Sequence, residues 1–229
     1  MNNWFNSLFR LFFPRCCVVC DEPLAETEEC LCIKCNMDMP RTNYHKQREH
    51  IVEQLLREQI PLVRATSFFF YQKGSRFCEI LYRLKYKGDK KLGEVMGRYI
   101  ANELLSSGFF EDIDMLVPIP LHPTKLKHRG YNQSERIAEG MSRITGIPVI
   151  TSCSERTKNT DTQTRKSLVG RWENVKGIFS LHNPQFFSGK HILIVDDVLT
   201  TGATIVAYAS IFQEISNIRM SVCTMAVTQ

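Results

Sequence analysis

The stretch Ile192-Leu193-Ile194-Val195-Asp196-Asp197-Val198-Leu199-Thr200-Thr201-Gly202-Ala203-Thr204 decides the fold. Four consecutive apolar residues, three of them β-branched, fit a strand of a parallel sheet covered on both faces, where side chains of either parity are buried. The chain then turns polar abruptly, with two carboxylates followed by hydroxyls around a glycine. In an open α/β sheet the carboxyl ends of the strands border the ligand crevice, which puts Asp196 and Asp197 at its mouth. Residues 199–204 are expected to form a loop whose N–H groups, with the Thr200, Thr201 and Thr204 hydroxyls, converge on one anion over a helix N-terminus. Gly202 lets that backbone approach without a Cβ in the way. Carboxylates for vicinal hydroxyls beside donors for an anion suit a ribose 5-phosphate. The competing reading is an ordinary strand-to-helix turn, with Thr200 or Thr201 as its cap and the acids solvated.

Outward from this stretch, strand signals recur at residues 65–71, 115–119, 147–150 and 221–227. Helical spacing runs through 45–57, 77–86, 90–105, 133–144 and 203–215. That alternation defines the class as α/β, a parallel sheet with helices on both faces.

Two basic segments lie between these strands. Residues 117–133 carry Lys125, Lys127 and Arg129 and end in Asn132, which with Glu135 makes a capping-box-like helix start. Cationic side chains and free N–H groups would face one crevice there, and pyrophosphate is a natural guest. The alternative is a solvated loop. Residues 154–171 carry Arg156, Lys158, Arg165, Lys166 and Arg171 with almost no apolar residues before Leu168. They form either a surface loop or a lid that closes over a polyphosphate. Tyr131 and Trp172 stand beside these cations, where they could stack on bases or serve as core.

Six of nine cysteines crowd into residues 16–35, and Cys17/Cys20 and Cys32/Cys35 have matching two-residue gaps. Each pair can bind one edge of a tetrahedron, and together they make a closed structural zinc site. Disulfides and free thiols are the alternatives, and Cys16 and Cys30 remain as spare ligands. Such a module has almost no core, so it is expected to need its ion to fold.

The 229 residues are 43% hydrophobic, enough for a real core, and the net charge of +5 permits nucleic-acid binding without demanding it. Residues 1–13 are rich in Trp, Phe and Leu but have no basic n-region and no cleavage site, a poor match to a signal peptide. They read as a short helix on the protein's own surface, with a membrane or partner groove as the alternatives. No stretch approaches the length that spans a bilayer, and the chain is expected to be cytoplasmic. Its expected division is 1–40 for the N-terminal segment and ribbon, 41–64 for a linker and 65–229 for the α/β domain.

Residues 192–204 resemble the 5-phosphoribosyl 1-pyrophosphate (PRPP) motif of type I phosphoribosyltransferases. Together with the cysteine pairs, the Leu84-Lys85-Tyr86-Lys87-Gly88-Asp89 and Arg129-Gly130-Tyr131-Asn132-Gln133 runs, and residues 156–163 with Arg171 and Asn174, they resemble the ComF family over nearly the whole chain. The resemblance implies a zinc ribbon, a phosphoribosyltransferase-type domain, and a role in bacterial competence and the handling of single-stranded DNA with competence proteins. It implies that residues 196–204 bind PRPP, with Asp196 and Asp197 on the ribose and Thr200 to Thr204 on the 5-phosphate, and that Mg2+ accompanies the pyrophosphate. Lys125, Arg129, Arg156 and Arg171 become candidate pyrophosphate or lid contacts. No acceptor substrate is implied. Two functions follow: a phosphoribosyltransferase, or a non-catalytic PRPP sensor or single-stranded DNA module using the ribbon and the basic loops.

Overall fold

A computed structural model describes residues 14–158 and 177–228. The chain pairs Arg64–Tyr71 (β1), Met115–Pro118 (β2), His191–Leu199 (β5) and Arg219–Thr228 (β6) in one all-parallel sheet of order β1-β6-β5-β2. Ser154–Arg156 (β3) and Phe179–Leu181 (β4) form a separate antiparallel pair.

Both faces of the sheet are covered, which explains the unbroken apolar runs. On β5, Leu193 and Val195 pack with Cys78–Tyr86 (α3), Lys90–Leu105 (α4) and Gln133–Thr145 (α6). Ile192 and Ile194 pack on the opposite face with Ala203–Ser210 (α7) and Ile51–Arg57 (α2). Asp89 caps α4 by accepting from Leu92 N at 3.0 Å. Gly97 and Gly140 sit where α4 and α6 cross. A Cβ on Gly97 would run into the Ile137 carbonyl, and one on Gly140 into the Glu94 carbonyl.

The ribbon packs on the first of these faces. Its short helix Ile33–Met37 (α1) begins inside the second cysteine pair, and Leu31 and Met39 join the cluster containing Phe68 and Phe69 of β1. Arg41 connects the two parts, bonding Glu103 Oε2 on α4 at 2.8 Å and Asn36 Oδ1 at 2.6 Å with its guanidinium 4.0 Å over Phe68.

Several elements differ from the sequence reading. Residues 41–64 are ordered against β1: Thr42 bonds the Ser67 carbonyl, and Glu53 accepts from Ala65 N at 3.1 Å. The helix expected over 45–57 is only α2, preceded by a 3-10 turn at Tyr44–Lys46, because His50 caps α2 from an extended backbone. Residues 147–150 make one bridge, Leu116↔Val149, instead of a strand. The segment 117–133 contains a helix, Pro123–Arg129 (α5), closed by Gly130 at φ 79°. The helix from Ala203 stops at Ser210 and does not reach 215. Residues 154–156, read as part of a basic loop, are β3.

Candidate functional site

β5 runs four residues beyond its apolar stretch, so Asp196 and Asp197 lie inside the strand and not past its end. Its pairing with β6 continues from Asp196↔Thr224 to Leu199↔Val227. Alternation along the strand therefore gives the two carboxylates different surroundings. Asp197 is buried; its Oδ2 accepts from Gln133 Nε2 at 2.8 Å and lies 3.3 Å from Lys85 Nζ of α3. Asp196 is half-buried; its Oδ1 accepts from Ser134 Oγ and from Asp197 N, both at 2.9 Å. Consecutive strand residues are thus held by consecutive residues of the first turn of α6. Asp196 Oδ2 and Asp197 Oδ1 have no hydrogen bond among the described residues.

Burial, then the neighbouring Asp197 carboxylate, push Asp196 up to about 7, against the bonds from Asp197 N and Ser134 and the charge of Lys85. Arg156 of β3 lies close enough for its charge to be felt by Asp196, and its guanidinium stands 5.3 Å over Phe179 of β4.

The turn after β5 is Thr200, Thr201 and Gly202. Leu199 is the buried last residue of the strand, Val198 is half-buried within it, and Ala203 and Thr204 are the exposed first residues of α7. Gly202 is the N-cap of α7 at φ 78°, and no side chain caps the helix. The capping role open to Thr200 or Thr201 is therefore not taken, and both hydroxyls are exposed beside unsatisfied N–H groups. Gly202 is pressed from below: a Cβ there would lie 3.3 Å from Leu56 of α2.

The other candidates are more scattered. Lys125 and Arg129 stand one turn apart on α5, both half-exposed. Arg171, Trp172, Arg165 and Lys166 lie outside the described residues, as does the apolar stretch 1–13. Tyr131 is core: it is 4% exposed and bonds the Leu84 carbonyl, so it has no face for a base. Lys85, Gln133 and Ser134, which hold the acid pair, carried no role in the sequence reading. Their signal was position alone, inside or beside the two short runs Leu84 to Asp89 and Arg129 to Gln133.

At the ribbon, the Sγ atoms of Cys17, Cys20, Cys32 and Cys35 all lie within 4.8 Å of one another, with Cys20 and Cys32 at 3.7 Å. Thiolates at about 2.3 Å from a tetrahedral zinc stand about that far apart, so the set fits the ion. Cys32 N and Cys35 N donate to the sulfurs of Cys17 and Cys32, each at 3.4 Å. Burial opposes ionisation of Cys17, but backbone N–H groups of Cys32, Cys20 and Val19 outweigh it and bring the thiol down to about 7. Cys16 and Cys30 lie outside the cluster, and burial raises Cys30 to about 11.

A parallel sheet with acids and a threonine-glycine turn at its carboxyl edge, a small antiparallel pair beside them and a four-cysteine ribbon on one flank defines the class: a phosphoribosyltransferase-like α/β fold with a zinc-ribbon module. Its relatives among known proteins support the ComF family. It is 27% identical over 198 residues to DNA utilization protein YhgH of Escherichia coli (strain K12), covering 85% of this chain and 82% of that protein. It is 36% identical over 93 residues to competence protein F of Haemophilus influenzae, 40% of this chain and 41% of that one. Competence protein ComFC of Bacillus subtilis is 28% identical over 152 residues, 66% and 58% of the two chains. No family model matches the chain. Among the described residues no helix is long and apolar enough to cross a membrane.

Proposed function

We propose that this protein binds PRPP in the cradle formed by Asp196, Asp197 and the turn 200–204, and serves in competence or DNA utilisation as the names of its relatives indicate. One observation carries the PRPP reading: three exposed threonines lie at the uncapped start of α7, next to two carboxylates that each keep one oxygen without a hydrogen bond among the described residues. The anion binds the N–H groups and hydroxyls, and the ribose hydroxyls donate to Asp196 Oδ2 and Asp197 Oδ1. Lys85 and Arg156 place positive charge next to the acids, where the pyrophosphate of the same ligand needs it. Mg2+ accompanying the pyrophosphate supplies further charge neutralisation. In the transferase form of this reading, an acceptor nucleophile bonds to C1 as the C1–O bond to pyrophosphate breaks, and the electron pair leaves with pyrophosphate. The chain's own contribution is positioning and fixed charge. The four-cysteine cluster holds a structural Zn2+, leaving no open position for chemistry.

Calorimetric titration of the zinc-loaded protein with PRPP and Mg2+, beside the Asp196→Asn, Asp197→Asn double variant, tests this. Saturable binding that the variant loses is the expected result. Equal binding by both proteins, or none by either, overturns it.

A further inference from the structure

We infer that Cys20 and Cys32 of the ribbon are an oxidation site: a peroxide converts them to a disulfide that joins the two cysteine turns and gives up the metal. The inference rests on the zinc reading of the four-cysteine cluster and is independent of the PRPP reading.

The four sulfurs are not equivalent. Cys17 and Cys35 are both 0% exposed, whereas Cys20 and Cys32 are half-buried, with their Sγ atoms 3.7 Å apart. A small solute therefore reaches one cysteine of each pair. Backbone donors divide them again. Cys17 Sγ accepts from Cys32 N and is held by the N–H groups of Cys20 and Val19, and Cys32 Sγ accepts from Cys35 N. Among the described residues, no backbone N–H donates to Cys20 Sγ. A donor stabilises a thiolate, and the more stable thiolate is the weaker nucleophile. Cys20 is thus the sulfur best placed to attack.

The surroundings of Cys20 suit this chemistry. Its neighbours Val19 and Asp21 line a cleft of about 440 Å3 with Ser75, Arg76 and Cys78 at the start of α3. Arg76 lies close enough for its charge to be felt by Cys20 and Cys35, and Asp38 holds it at 2.7 Å. A cation beside a partly exposed thiolate is the setting of a reactive cysteine, and here it also stabilises the anion that leaves the peroxide. Cys78 shares the cleft, but its thiol donates to the Gln72 carbonyl at 3.0 Å and is therefore protonated, whereas a metal-bound sulfur is a thiolate.

In the first step the Cys20 sulfur attacks hydrogen peroxide: an S–O bond forms, the O–O bond breaks, and hydroxide leaves and is protonated by solvent. In the second the Cys32 sulfur attacks the Cys20 sulfur: the S–S bond forms, the S–O bond breaks, and a second hydroxide leaves and is protonated. Two thiolates have given up two electrons, and the peroxide is reduced to water. The cluster then offers an ion two sulfurs in place of four, too few for a closed tetrahedral site. A bridge within either cysteine pair would leave the two turns unjoined.

The test treats the full zinc-loaded chain with stoichiometric hydrogen peroxide while a chromogenic chelator follows free zinc, then alkylates the thiols and maps disulfides by mass spectrometry. The expected result is loss of the bound zinc in step with a Cys20–Cys32 bridge, both reversed by a thiol reductant and added zinc. A Cys16→Ser, Cys30→Ser variant should react at the parent's rate, since both residues stand outside the cluster. Arg76→Gln should hold zinc as the parent does and release it several-fold more slowly. Cys20→His, which exchanges one zinc ligand for another, should keep the metal and resist the oxidant. Metal analysis before peroxide is added separates the two readings. A parent that carries no zinc fails the zinc reading and takes this inference with it. A loaded parent that keeps its zinc, bridges Cys17 to Cys20 or Cys32 to Cys35, or links either half-buried sulfur to Cys16, Cys30 or Cys78 overturns this inference alone.

Discussion

Gln133 Nε2 donates to Asp197 Oδ2 at 2.8 Å, tying the first residue of α6 to a strand residue 64 positions later. Beside it Ser134 Oγ donates to Asp196 Oδ1 at 2.9 Å. Both donors are buried, so the carboxylates are held before any ligand arrives. Such supporting bonds typically matter to a site nearly as much as the contacts they orient. Gln133→Ala and Ser134→Ala are each expected to weaken PRPP binding about tenfold without changing its stoichiometry. Gln133→Glu should do more harm, because it sets a third carboxylate against Asp197. Calorimetric affinities of the three variants check this, and parent-like values would mean that the acids need no holding.

Asp196 gives the protein a predictable response to pH. Burial and Asp197 raise it to about 7 in the folded chain from an ordinary 3.8. The native state therefore holds this proton more tightly than the unfolded chain does. The associated stability is full below the unfolded value and is lost as pH rises through the folded one. Lys85 and Arg156 are the cations that temper the loss. Asp196→Asn is expected to remove this decline and to melt higher than the parent at about pH 8. The same ionisation readies the carboxylate to accept ribose hydroxyls, so PRPP affinity in the parent should rise over that range. Melting curves from acid to alkaline pH decide the first point, and a decline that persists in the variant assigns it to another group.

Much of this was legible because local chemistry and tertiary role agree. The run 192–204 declares itself: its apolar half fits a strand buried on both faces, and its polar half fits the carboxyl end of that strand. The cysteine spacings and the bounds of α4 are similarly local, since a tetrahedral ion and an Asp89 cap each act within a few residues. The bonds from Gln133, Ser134 and Lys85 were not legible, because a short polar side chain at a helix start looks the same whether it faces solvent or a carboxylate 62 to 64 residues away. Residues 41–64 misled for a related reason. Their polarity reads as a tether, yet Glu53 and His50 spend that polarity on the backbone of β1 at Ala65. Tyr131 stays open between base stacking and core in the sequence because its neighbours are cations, and the bond from its hydroxyl to the Leu84 carbonyl decides for the core.

The crossing of α4 and α6 sets the position of Gln133 and Ser134, and glycines permit it. Alanine in place of a mid-helix glycine normally gains about 1 kcal/mol of helix propensity. Here Gly97→Ala and Gly140→Ala each drive a methyl into a backbone carbonyl of the facing helix. A carbonyl cannot rotate aside as a side chain can, so the helices must separate, and overpacking of this kind costs about 1–3 kcal/mol or more. The clash is expected to win, giving net destabilisation in both variants and weaker PRPP binding as α6 withdraws from the acids. Denaturant melts check the sign; a stabilised Gly97→Ala variant would show that the helices tolerate the wider spacing.

The ribbon shares its core with the sheet, and this would make a metal held by its four cysteines matter beyond residue 40. Leu31 and Met39 pack into the cluster that contains Phe68, and Arg41 bonds Asn36 on one side and Glu103 on the other. Glu29 adds ion pairs to Lys91 at 3.4 Å and to Arg98 of α4. Without an ion, Cys17, Cys20, Cys32 and Cys35 lose what closes their turns, and the contacts around Arg41 lose one of their anchors. A chelator is therefore expected to release one zinc per chain, lower the melting temperature and raise amide exchange along β1 as well as in residues 14–40. Cys20→Ser and Cys32→Ser should each abolish stoichiometric binding, whereas Cys16→Ser should retain it, since Cys16 stands outside the cluster. Metal analysis with exchange mapping distinguishes the outcomes. Loss of zinc from Cys16→Ser would reassign a ligand, and exchange confined to the ribbon would make it an independent module.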